Sequence, residues 1–125
     1  METINADLVT QVANINNERR ATSFRWRGLS VTVRGSINLR EYVSFIQTVL
    51  HGCTDPETGD FHIELFDLVF MATVVMMFTN IELPADLETQ FKILFWTDLY
   101  NEVCLRISEA QLESLRKTVE RYVAK

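Results

Sequence analysis

The chain switches between two hydrophobic periods. Over residues 3–20, TINADLVTQVANINNERR, Ile4, Leu8, Val12 and Ile15 recur at helical spacing in an otherwise polar segment with an Asn-rich end. That spacing predicts an amphipathic helix, or an arm that becomes ordered on binding. Over residues 23–37, SFRWRGLSVTVRGSI, the period falls to two. Phe24, Trp26, Leu29, Val31 and Val33 alternate with Arg25, Arg27, Ser30, Thr32 and Arg34. Alternation with β-branched residues predicts strand. Gly28 and Gly35 punctuate it, giving either one strand kinked at Gly28 or two short strands in a hairpin. On a strand Arg25 and Arg27 share one face and Trp26 takes the other, toward the core. So small a sheet leaves an edge open to a strand from another subunit.

Helical spacing returns in NLREYVSFIQTVLHGC, residues 38–53. Asn38 with Glu41 makes a capping-box pattern. Leu39, Val43, Ile46 and Leu50 form the expected inner stripe, flanked by Tyr42, Phe45 and Val49. Gly52 stands where a helix commonly ends. DPETGD, residues 55–60, reads as a turn on Pro56 and Gly59. The most apolar run follows, FDLVFMATVVMMFTNIELP at residues 66–84. Leu68 to Phe78 is too short for a bilayer: such a helix reaches about 16 Å, whereas a span needs about 20 residues. It predicts a buried helix over about 62–79, apolar nearly all round. Pro84 marks the next helix start, with Asp86 and Glu88 in its first turn. That helix carries Leu87, Phe91, Leu94 and Phe95 and breaks near Thr97-Asp98. The last helix begins at Ser108, which with Gln111 suggests a second capping box. Leu112, Leu115, Val119, Tyr122 and Val123 form its apolar side. The expected core is Leu68, Phe70, Met71, Val74, Val75, Phe78, Phe91 and Phe95.

These elements make a single α+β domain over residues 1–125, predominantly α. Four or five helices pack around a central apolar helix, with a small β element near residues 23–34. A chain of 125 residues is long enough to bury a core without a staple. The first eleven residues carry neither a basic n-region nor an apolar h-region. A reducing compartment and two free thiols, Cys53 and Cys104, are therefore expected.

Charge changes the picture more. Residues 1–40 carry a net +3 and residues 41–125 a net −8. Such a dipole favours partner contacts. Arg19, Arg20, Arg25, Arg27 and Arg34 are the candidate partner-binding residues. Interleaved with Trp26 they also raise a nucleic-acid reading, disfavoured because the tryptophan and the arginines fall on opposite strand faces. His51, Cys53 and His62 lack a zinc spacing and a fourth ligand. Asp55, Glu57, Asp60 and Glu64 lack calcium-loop spacing. Met71, Met76 and Met77 are the kind of residues that fill gaps in cores. Asp67 and Asp98, in apolar surroundings, are explained by helix-cap or interface roles. No nucleophile elbow or phosphate loop is present. No catalysis, cofactor or metal is expected.

VTVRGSINLREYVSFIQTVL, the run from DPETGD to WTDLY, and SEAQLESLRKTVERYV, in that order, resemble a set of small bacteriophage and prophage proteins of Gram-positive bacteria. The central signature is Thr79, Asn80, Ile81, Glu82, Leu83 and Pro84, and the resemblance covers about residues 29–123. It implies phage origin, placement in the host cytoplasm or the virion, and action by binding other proteins. The expected role is a virion or assembly component that homo-oligomerises or docks on a phage structural protein. The alternative is an inhibitor of a host defence system, resembling an anti-CRISPR protein and binding a host defence protein. A nucleic-acid binder ranks third.

Overall fold

Arg27 and Gly28 decide the shape of the β element. Both take positive φ, 47° and 82°, the pattern of the two-residue turn that matches strand twist. The period-two stretch is therefore a hairpin, β1 (Thr22–Trp26) and β2 (Leu29–Val33), antiparallel in the register Thr22↔Val33 to Trp26↔Leu29. The computed structural model describes residues 8–12 and 20–124. Residues 8–12 are helical; Ile4, Ile15 and Arg19 of the N-terminal expectations lie outside the described residues. After the hairpin come α1 (Leu39–Gly52), a 3-10 turn (Ile63–Leu65), α2 (Phe66–Phe78), α3 (Leu87–Trp96), α4 (Leu99–Cys104) and α5 (Glu109–Val123). The fold is α+β and mainly α, as the periods predict.

The apolar run becomes α2, and α1, α3 and α4 all pack against it. Phe70, Val74, Val75 and Phe78 are 0–2% exposed. Thr73 is tolerated inside because its hydroxyl donates to the Val69 carbonyl at 2.7 Å. One large cluster joins Val31, Val33, Phe45, Val49, Phe70, Val74, Phe78, Val103, Leu115 and Val119. A smaller one, Leu68, Ala72, Val75 and Leu94, holds α3, with Met71 half-buried beside it. Among the described residues no helix is long and apolar enough to cross a membrane.

Four expectations are corrected. In α1 the inner face is Phe45, Ile46 and Val49, while Leu39 and Val43 are 78% and 47% exposed. That face packs on both α2 and α5, and beside it the Tyr42 hydroxyl lies 2.7 Å from Ser114 Oγ and 3.0 Å from Thr118 Oγ1. Phe91 and Phe95 are not core: they are 39% and 44% exposed, because α3 buries only Leu94. The Ser108–Gln111 capping box is half formed. Ser108 Oγ accepts from the Gln111 N–H, but the Gln111 side chain turns instead to Ile37. The helix expected from Pro84 starts later, where Asp86 accepts from the Thr89 N–H at 2.9 Å.

Gly52 is also needed for a different reason. It is the last residue of α1 and has no positive φ. A Cβ there would lie 2.8 Å from Val69 Cγ1 on α2, closer than van der Waals contact allows. Alanine adds helix propensity of about 0.5–1 kcal/mol, and the overpacking opposes it by about 1–3 kcal/mol. Gly52→Ala is expected to lower stability by about 1 kcal/mol in urea unfolding. In a Val69→Ala background the same change should be neutral or stabilising. Equal losses in both backgrounds would rule out the clash.

Candidate interaction surface

The arginines chosen from sequence are scattered by the hairpin. Arg20 is exposed just before β1. Arg25 Nη2 donates to the Gly28 carbonyl at 2.8 Å, closing the turn from outside. Arg27 leaves the strand into the turn, with its guanidinium 5.0 Å from the Trp26 ring centroid. Arg27 and Trp26 are thus neighbours at the hairpin tip, not opposite faces of one strand. Arg34 is at the far end of β2, about 17 Å from Leu29 by strand rise. Arg34 is engaged with Glu41: its two Nη atoms donate to both Glu41 carboxylate oxygens. Glu41 meanwhile accepts from the Asn38 N–H and completes the α1 capping box. Among the described residues, Arg20 and Arg34 lie toward the open end of the hairpin and Arg25 and Arg27 toward its tip.

The Arg34 guanidinium, then the Asn38 amide, pull the Glu41 carboxyl down to about 2 from its ordinary 4.5. A carboxyl depressed on folding stabilises the fold fully above its unfolded value, and that contribution fades as pH falls toward the folded value. Stability should therefore drop between about pH 4.5 and 2, and Glu41→Gln should make that drop shallower in urea titrations. An unchanged acid limb would mean that the Arg34–Glu41 pair is too well screened to matter.

The Thr-Asn of the central signature acts on the sheet. The Thr32 N–H donates to Asn80 Oδ1 at 3.0 Å, and Asn80 Nδ2 donates to the Ser30 carbonyl at 3.3 Å. The Arg34 N–H donates to the Phe78 carbonyl at 2.7 Å, and the Asn80 N–H to the Thr32 carbonyl at 3.3 Å. Asn80 thus serves β2 as one residue of a third strand. By ladder alternation, β1 keeps the N–H and C=O groups of Ser23 and Arg25 on the outer edge. Nothing local in the sequence signals this, since Asn80 and Thr32 are 48 residues apart.

Asp98 and Asp67 also have plain structural tasks. Asp98 Oδ1 accepts from Trp26 Nε1 at 2.8 Å, fixing the hairpin tip to the α3–α4 junction. Asp67 Oδ1 lies 3.2 Å from Arg116, whose guanidinium covers Phe66 and Phe70 at 5.5 and 4.5 Å. With Phe66, Asp67 and Arg116, the residues Ile63, Glu120, Val123 and Ala124 line a cleft of about 270 Å³ that is open to solvent. His62 sits between Asp55 and Glu64 at 3.7 and 3.2 Å. Among the described residues no three His, Cys, Asp or Glu side chains are placed to hold a metal. Both cysteines are free. Burial pushes up the Cys53 and Cys104 thiols and the Tyr100 hydroxyl. Among the described groups with displaced titration, each moves away from neutral pH.

What stands out is α3. Leu87, Phe91, Phe95 and Trp96 are 48%, 39%, 44% and 68% exposed. Phe91 and Phe95 stack on each other with centroids 4.8 Å apart, and Lys92 lies 5.4 Å from the Trp96 ring centroid. Leu87, Phe91 and Phe95 follow one another at i, i+4 and i+8, so they form one ridge along the helix. Residues 81–104 around it hold Glu82, Asp86, Glu88, Asp98 and Glu102 against the single Lys92. An exposed apolar, aromatic ridge in an acidic stretch of chain makes α3 the candidate interaction surface. Searches of protein-family models, of curated proteins and of solved structures all find no match to this chain.

Proposed function

We propose that this chain is a non-enzymatic phage protein that works by binding other proteins, as a virion or assembly component, with α3 as its contact face. The observation that carries this reading is the exposure of Phe91, Phe95 and Trp96 on one short helix. Aromatic residues left outside the core are the usual anchors of protein interfaces. The scattered arginines weigh against nucleic acid, which needs several cations along one backbone track.

The test is co-sedimentation of the chain with virions or assembly intermediates from an infected host. The wild type is expected to travel with them, and Trp96→Glu to lose at least tenfold in bound fraction while keeping its melting temperature. Equal recovery of both would exclude the α3 face, and no association of the wild type would exclude the assembly role. A second reading, inhibition of a host defence nuclease, is favoured by the net −8 over residues 41–125, since such a surface imitates a phosphate backbone. Inhibition of a purified defence complex, relieved by raised salt, is its expected signature.

A further inference from the structure

The hairpin has one edge closed and one open. On the β2 side, Asn80 takes the outward Thr32 N–H and Ser30 carbonyl, and Thr79 bridges to Val33. Among the described residues β1 is the unpaired edge of this two-stranded sheet. Sheets that must stay alone blunt their edges with proline, lysine or a bulge. The strand TSFRW has no proline or lysine, and its register on β2 runs without a bulge. Its one charge, Arg25, is turned back to the Gly28 carbonyl.

That edge is self-complementary. Its outward N–H and C=O groups belong to Ser23 and Arg25, two residues apart. Two β1 strands laid antiparallel about an axis at Phe24 set Ser23 of each copy opposite Arg25 of the other, so both pairs exchange both backbone hydrogen bonds. The same register sets Phe24 against Phe24 and Trp26 against Thr22. Aromatic and aromatic–β-branched pairs of this kind stabilise a ladder, and no like charges stand directly opposite. Arg106, which covers Phe24 at 4.0 Å, carries its own counter-ion, Glu102 at 3.3 Å. The same chain is a poor source for the missing strand. Its described residues form no third strand, and residues 8–12 are helical. Residues 13–19, ANINNER, hold three asparagines and a glutamate, types depleted in strands. We propose that β1 pairs with β1 of a second copy in this register, making one four-stranded sheet across a two-fold axis. The pairing uses up both open edges, so the assembly closes at two chains. It involves no residue of the α3 face. Two five-residue strands make a small contact, so the pairing is reversible and fills with concentration.

Light scattering and amide hydrogen exchange on the full chain test this, from about 10 μM to about 1 mM, where small reversible interfaces fill. The wild-type mass is expected to rise from the 14.5 kDa of one chain to twice that. As it does, the Ser23 and Arg25 amides should slow in exchange, while the Phe24 amide, already bonded to β2, stays protected throughout. Ser23→Arg puts an arginine opposite Arg25 twice and should weaken the pairing about tenfold; Ser23→Glu puts a carboxylate there and should strengthen it by about the same factor. Within its own sheet Ser23 faces the neutral Thr32, so the two variants should melt alike, and shifts of opposite sign report the second copy. Ser23→Arg/Arg25→Glu should restore the pairing. A one-chain mass throughout would overturn the proposal, leaving the edge to a strand of a different protein. A dimer that both charge variants leave unmoved, or shift in the same direction, would overturn it in favour of another surface. Ser23 and Arg25 amides that are slow at every concentration would overturn it in favour of cover by the chain itself. Trp96→Glu should not change the mass, so the α3 reading stands or falls separately.

Discussion

Val74→Asp is expected to leave the chain largely unfolded. Val74 is fully buried at the middle of α2, inside the larger apolar cluster. A carboxylate there would be buried in a predominantly apolar cluster, and an uncompensated buried charge costs several kcal/mol. Domains of this size hold only about 5–15 kcal/mol in reserve. Far-UV circular dichroism at neutral pH should show loss of helix or a melting point lowered by tens of degrees. Met76→Asp is the matched control: the same substitution two residues on, at a side chain 44% exposed, should cost about 1 kcal/mol or less. If both variants melt like the wild type, α2 is not the centre of this fold.

The second large effect is expected at Gln111. Its side chain accepts from the Ile37 N–H at 2.8 Å and donates to the Ile37 carbonyl at 3.0 Å. Next to it the Ser108 N–H donates to the Gly35 carbonyl at 2.8 Å. The start of α5 therefore supplies the hydrogen bonds of the link between β2 and α1, much as a neighbouring strand would. Ile37 is 7% exposed, so water cannot easily replace Gln111. Gln111→Leu keeps the volume and helix propensity but strands one donor and one acceptor, at about 1–3 kcal/mol each. A loss of about 2–4 kcal/mol in urea unfolding is expected. A loss under 0.5 kcal/mol would mean that the link relaxes into solvent.

Where a residue's partner is near in sequence, the fold was legible. Asn38 and Glu41 cap α1 from three residues apart. The apolar run at 66–78 could only be interior, whatever its neighbours. Most failures share one cause, a partner far along the chain; the start of α3 is the exception, since its cap Asp86 bonds Thr89 three residues on. Asn80 reaches Thr32 across 48 residues and Gln111 reaches Ile37 across 74. The face of α1 that turns inward depends on where α2 and α5 lie. Phe91 and Phe95 have core composition, and nothing in their spacing reveals that α3 turns Ile93 and Leu94 to the core instead. The ridge was therefore hidden for the same reason it is of interest: residues of interior type left outside.

Asn80 also bears on the order in which the chain acquires structure. A hairpin with a two-residue turn closes within microseconds, but alone in water it is marginal. Its second edge is completed only when the end of α2 arrives with Thr79 and Asn80. The hairpin's lasting stability is therefore tied to a contact 48 residues away, although its own pairing is among the most local in the protein.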